Sequence, residues 1–134
     1  MNTSDSAPSW PILLVDDEPL LLEATRQRLE GAFPGTPILT FTDGVNALAA
    51  TQGKPLGLAL LDVDMPRMSG IELAAELRAR SPELPIAFLT GTARDKVADE
   101  VARVGAVAWL RKPVSGQVLV ETVRRHALGT RDAT

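Results

Sequence analysis

The chain has 134 residues, a formal net charge of −3 and no cysteine, with 45% hydrophobic and 23% charged residues. That length and balance describe one globular domain with a proper core, and they exclude a disulfide framework and thiolate chemistry. The mildly acidic charge offers no footprint for nucleic acid or an anionic membrane, no apolar run approaches the ~18 residues of a membrane span, and the opening MNTSDSAPSW lacks the basic-then-apolar pattern of a secretory signal.

Residues 1–9 read as a loose tail, and cytoplasm is the default location. The apolar run ILLV (12–15) predicts a first strand that ends in Asp16 and Asp17. Pro19 suits a first helical position, Asp17 is placed to cap that helix, and Leu22, Leu29 and Phe33 share one face of it. ILTF (38–41) predicts a second strand, followed by the short, alanine-rich GVNALAATQGK. LGLALL (56–61) runs into Asp62, and Ile71, Ala74 and Leu77 then share a helical face. IAFL (86–89) ends at Thr90, ahead of a fourth helical stretch with Val97, Val101 and Val104 in line. AVAWL (106–110) leads into Arg111, Lys112 and Pro113, and Leu119, Val123 and Ala127 mark a fifth helical stretch before a second tail at 129–134. Gly31, Gly53 and Gly105 fall where helices should stop. Five such alternations, with strands apolar throughout, predict a (βα)5 doubly wound five-stranded parallel sheet over residues 10–128, covered by helices on both faces.

In a parallel sheet the polar residues that follow these strands meet along one carboxyl edge, where open α/β folds place their ligands. Asp16, Asp17, Asp62, Thr90 and Lys112 therefore converge on one pocket. Singly, each has an ordinary explanation: a helix cap, a turn before Met65-Pro66, a β-branched strand end, an exposed loop lysine. Together, three crowded carboxylates repel one another and call for a hard divalent cation such as Mg²⁺. A lysine and a hydroxyl beside them suit phosphate oxygens, and the chemistry indicated is phosphoryl transfer to an aspartate.

LLVDDEP, LLDVDMPRMSG, FLTGTA and VGAVAWLRKP, in that order across about residues 11–128, resemble the receiver domain of two-component response regulators, the CheY-like family with its flavodoxin-like fold. The resemblance implies that Asp62 is the phosphoacceptor, charged by a sensor histidine kinase or histidine phosphotransfer protein. It implies Asp17 as a direct Mg²⁺ ligand, Asp16 as one acting through metal-bound water, and Asp64 as a backbone-carbonyl ligand. Thr90 and Lys112 would grip the phosphoryl group, and Lys112-Pro113 would be cis. Trp109 stands at the aromatic switch position, where Tyr or Phe is usual; plain core packing explains it equally well. Asp64 and Thr92 occupy lifetime-tuning positions. His126, the one histidine, reads as a cation at a helix C-terminus rather than a phosphocarrier. The output surface would be the fourth helical stretch, fifth strand and fifth helical stretch, with Arg94, Lys96, Asp99, Arg103, Trp109 and Arg111.

Such a domain is not an enzyme beyond its own phosphorylation and dephosphorylation, and it acts on a downstream protein target or a linked output domain without touching nucleic acid or membrane. The rivals are a receiver detached from a longer DNA-binding or enzymatic regulator, a pseudo-receiver that switches without phosphate, and a haloacid dehalogenase-like phosphatase suggested by DVD after an apolar strand. Motif order weighs against the phosphatase, because its acidic pair should come late and here Asp16-Asp17 come first. With no helix-turn-helix segment after residue 128, the expectation is a stand-alone regulator.

Overall fold

The computed structural model describes residues 8–91, 102 and 104–129. Five strands, β1 (Ile12–Val15), β2 (Ile38–Phe41), β3 (Leu58–Asp62), β4 (Ile86–Thr90) and β5 (Ala108–Arg111), form one sheet in the order β2-β1-β3-β4-β5. Every pairing is parallel. Among the described residues the helices are α1 (Pro19–Ala32), α2 (Gly44–Ala50), α3 (Gly70–Arg80) and α4 (Gly116–His126), the last being the fifth helical stretch of the sequence. This is the predicted doubly wound, flavodoxin-like α/β fold. Most of the fourth helical stretch, with Thr92, Arg94, Lys96, Val97, Asp99, Val101 and Arg103, lies outside the described residues.

The period-two geometry of a strand divides the core into two layers. Leu13, Val15, Ala59, Leu61, Ile86 and Phe88 pack on the α2 and α3 side, with Leu73, Ala74 and Leu77. Ile12, Leu14, Leu58, Leu60, Ala87, Leu89 and Leu110 pack on the other side, with Leu22 and Leu29 of α1 and Leu119 and Val123 of α4. The central strands β1, β3 and β4 are buried throughout, which explains why they read as unbroken apolar runs. Each fully buried leucine contributes about 1.5–3 kcal/mol relative to exposure.

Helix ends depart from the sequence reading in two places. Glu18, not Asp17, is the N-cap of α1, and it makes no side-chain cap bond; Pro19 follows as the first helical residue. Gly31 lies inside α1, which continues to Ala32, because Leu29 and Phe33 keep burying its face. Asp43, Ser69 and Ser115 cap the other three helices through their side chains, Ser69 in a reciprocal capping box with Glu72. His126 does end α4, beside Arg124 and Arg125 in its last turn.

Pro8 and Ser9, the last two residues of the stretch read as a tail, are tied to the folded body. Pro8 is buried and its carbonyl accepts from the Thr36 hydroxyl, while the Ser9 amide donates to the Gly129 carbonyl at 3.0 Å. A second tie comes from Arg78 on α3. Its guanidinium donates to three backbone carbonyls: Leu84 at 2.9 Å, Val104 at 2.7 Å and Gly105 at 3.2 Å. Arg78→Met leaves all three acceptors without this charged donor and should cost about 2–3 kcal/mol in urea unfolding, with Arg78→Lys intermediate because an ammonium cannot span the three.

Candidate functional site

The hydrogen-bond ladder runs one residue past the strands at the carboxyl edge and thereby locks the polar residues. The Asp16 amide donates to Phe41 at 3.1 Å, Val63 to Leu89 at 2.9 Å, and Lys112 to Thr90 at 2.8 Å. Asp16 follows Ile12 and Leu14, and Asp62 follows Leu58 and Leu60, so alternation sends both toward the α1 and α4 side; Lys112 follows Ala108 and Leu110 to the same side. Thr90 follows Ile86 and Phe88 to the opposite side, which Trp109, in register with Phe88, shares. Thr90 is fully buried and Trp109 half-buried.

Asp16 and Asp62 are anchored in the same way. Asp16 Oδ1 accepts from the Glu18 amide at 3.0 Å, and Asp62 Oδ1 accepts from the Asp64 amide at 3.2 Å. Each acid thus pins the loop after its own strand with one oxygen and turns the other to Lys112. The Lys112 ammonium stands 3.1 Å from Asp16 Oδ2 and 3.3 Å from Asp62 Oδ2, and 3.4 Å from Glu18 Oε1. The Lys112-Pro113 peptide is cis. Carboxylate oxygens of Asp16, Asp17 and Asp62 lie within 4.8 Å of one another. Asp64, in contrast, points an exposed side chain away from burial and enters the site through its backbone.

The electrostatics follow from that crowding. Burial pushes the Asp62 carboxyl up to about 7, against the attraction of Lys112, and the charge of Asp16 and the hydrogen bond with Asp17 push the same way as burial. Lys112 is held above its ordinary range: burial opposes its charge, but the hydrogen bond to Asp16 and the charges of Asp62 and Asp16 outweigh it. One ammonium therefore faces three acids. A compact set of hard oxygen donors with excess negative charge fits a divalent cation of the Mg²⁺ kind.

The loop after β3 is tightly built. Arg67 adopts φ 70° in a tight turn closed by the Met68 amide on the Pro66 carbonyl at 2.8 Å. Gly70, the first residue of α3, passes so close beneath β3 that a Cβ there would fall 2.1 Å from the Asp62 carbonyl oxygen. Sequence reasoning missed both Glu18 and Gly70. Glu18 sits in the DDE run beside the two acids, but nothing local separates a site carboxylate from a solvated one at a helix start.

Residues 12–124 match the response regulator receiver domain family. The chain is 36% identical over 126 residues to the probable transcriptional regulatory protein TcrX of Mycobacterium tuberculosis, covering 92% of this chain and 52% of that one. The CheY-like receiver domain protein of Methanospirillum hungatei superposes with a TM-score of 0.79 at 30% identity, over 87% of this chain and 91% of that one. The chemotaxis response regulator CheY4 of Vibrio cholerae gives a TM-score of 0.77 at 33% identity, over 87% and 97% of the two chains. This chain belongs to the response regulator receiver domain family, the signalling phosphoacceptor domains of two-component systems, which are not enzymes in the ordinary sense. It spans about half of TcrX and 55% and 24% of two further curated relatives. Among the described residues no helix is long and apolar enough to cross a membrane.

Proposed function

We propose that Asp62 is the phosphoacceptor of this receiver and that Asp16, Asp17 and Asp62, with the Asp64 backbone carbonyl, hold Mg²⁺. The observation that carries this reading is the buried Asp62 carboxylate, joined to Asp16 through one ammonium at the carboxyl edge of the central strands. One Asp62 oxygen attacks the phosphorus of a phosphohistidine on a sensor kinase or histidine phosphotransfer protein. The phosphorus–nitrogen bond breaks, the imidazole leaves with the electron pair, and an acyl phosphate remains on Asp62. When bound, Mg²⁺ would supply the positive charge that keeps the carboxylates ionised and offsets the negative charge of the phosphoryl oxygens.

Lys112, already 3.3 Å from Asp62, is placed to pair with the new phosphoryl group, and Thr90 supplies the hydroxyl. Because Thr90 and Trp109 share one side of the sheet, movement of the first changes the space open to the second. That relation supports an output surface formed by the fourth helical stretch of the sequence, β5 and α4, facing a downstream protein or a linked output domain in the cytoplasm. Water reverses the reaction at a rate tuned by Asp64 and Thr92. Asp64→Asn removes a charge that repels or misplaces the attacking water, so the variant should lose its phosphoryl group several-fold faster; an unchanged or slower loss contradicts that role.

The test of the whole reading is intact mass after incubation with acetyl phosphate, with Mg²⁺ or with EDTA. A gain of one phosphoryl group only with Mg²⁺ is expected, and a gain independent of the metal contradicts the metal assignment. The greater length of the curated relatives favours a second reading, a receiver that works within a longer DNA-binding regulator. Light scattering with and without beryllofluoride separates the two, because dimers formed only with the mimic favour the longer regulator.

A further inference from the structure

Glu18 is the N-cap residue of α1, yet its carboxylate makes no cap bond, whereas Asp43, Ser69 and Ser115 all spend their side chains on their own helices. Pro19 carries no N–H, and the Glu18 amide is already given to Asp16 Oδ1. The Glu18 carboxylate instead reaches across to the loop after β5 and takes the Lys112 ammonium at 3.4 Å. Its side chain is 64% exposed, while those of Asp16 and Asp62 are 2% and 3% exposed. Lys112 is thus shared among three carboxylates, of which two belong to the acid cluster and one stands outside it.

That division matters because Asp16 and Asp62 face two cations. Their Oδ2 atoms hold the ammonium, and a divalent ion drawn to the same carboxylates repels it. We propose that Glu18 is a positioning residue for Lys112: it retains the ammonium on the solvent side and so lets Asp16 and Asp62 serve a divalent cation without losing Lys112 from the site. This rests on the reading of Asp16, Asp17 and Asp62 as a Mg²⁺ site. Glu18 acts through Lys112 and touches neither the metal nor the phosphoryl group.

The experiment is calorimetric titration of the full chain with Mg²⁺ at low ionic strength, on wild type, Glu18→Gln, Lys112→Met and the double variant. An exposed ion pair sets the scale, so Glu18→Gln should weaken Mg²⁺ binding about two- to fivefold, less at high salt. In the Lys112→Met background the same substitution should change little, because the residue it acts through is gone. Equal affinity in wild type and Glu18→Gln, or an undiminished loss beside Lys112→Met, overturns the inference while leaving the phosphoacceptor reading intact. Absence of Mg²⁺ binding to wild type overturns both. A second readout needs no Lys112 variant: proton exchange at the Lys112 ammonium, followed by magnetic resonance with Mg²⁺ present, should be several-fold faster in Glu18→Gln, and equal rates overturn the proposal.

Discussion

Asp62→Asn should stabilise the metal-free protein by about 2–4 kcal/mol at pH 8, in urea unfolding with EDTA present. Folding moves the Asp62 carboxyl from an ordinary 3.8 to about 7, chiefly through burial. Between those values the folded protein binds a proton that the unfolded chain has released. Stability from this group is therefore greatest below about pH 4, falls as pH rises through 7, and is fully lost above it. Each pK unit is worth about 1.4 kcal/mol, which sets the upper end of the range. Asn keeps an oxygen for the Asp64 amide and carries no charge to bury. The advantage of the variant should shrink by more than half at pH 5. Saturating Mg²⁺ should narrow it at pH 8, since a ligand bound only by the folded state adds about 2.7 kcal/mol at a hundredfold excess over Kd. A variant no more stable than wild type at pH 8 would contradict an Asp62 carboxylate destabilised by burial and by the charge of Asp16. Functional residues that weaken the fold they sit in are the expected compromise at a charged site.

Gly70→Ala should destabilise the protein by about 3 kcal/mol, whereas Gly31→Ala, the same chemical change, should stabilise it by about 0.5–1 kcal/mol. At Gly70 the added methyl meets backbone, 2.1 Å from the Asp62 carbonyl oxygen and 2.8 Å from its carbon, and neither can rotate away. At Gly31, inside α1, nothing lies within 4 Å and the helix gains only the better propensity of alanine. The two variants measured side by side separate the close approach at Gly70 from any general dislike of substitution. The displaced backbone carries Asp62, so Mg²⁺ affinity should fall with stability in Gly70→Ala and stay unchanged in Gly31→Ala. Equal stability of the two variants would show that α3 can slide away from β3.

The architecture was legible because parallel strands buried on both faces must be apolar throughout, and each run in the sequence lies within two residues of its strand. Asp16, Asp17, Asp62 and Lys112 could be gathered by topology alone, since each follows a strand that points to the same edge. Helix punctuation was less legible. Asp17 has the chemistry of a cap, but Pro19 fixes the helix start one residue later than that role requires. Gly31 resembles a stop only locally; the burial of Leu29 and Phe33 overrides it. The third helical stripe showed Ile71, Ala74 and Leu77, but Leu73, fully buried, was missed because α3 offers two adjacent positions to the core. Glu18, Arg78 and Gly70 were beyond reach for a common reason. Their partners, Lys112, the Val104 and Gly105 carbonyls, and the backbone of Asp62, are set by three-dimensional packing and leave no local pattern in the chain.

The most direct test of the central claim is to locate the phosphoryl group. Wild type, Asp62→Asn and Asp64→Asn would each be incubated with acetyl phosphate and Mg²⁺, weighed intact, and mapped by peptide mass spectrometry. The account predicts one phosphoryl group on the Asp62 peptide of wild type and Asp64→Asn, and none on Asp62→Asn. A full gain in Asp62→Asn, or a phosphoryl group mapped to a peptide other than that of Asp62, would place the acceptor elsewhere and contradict it.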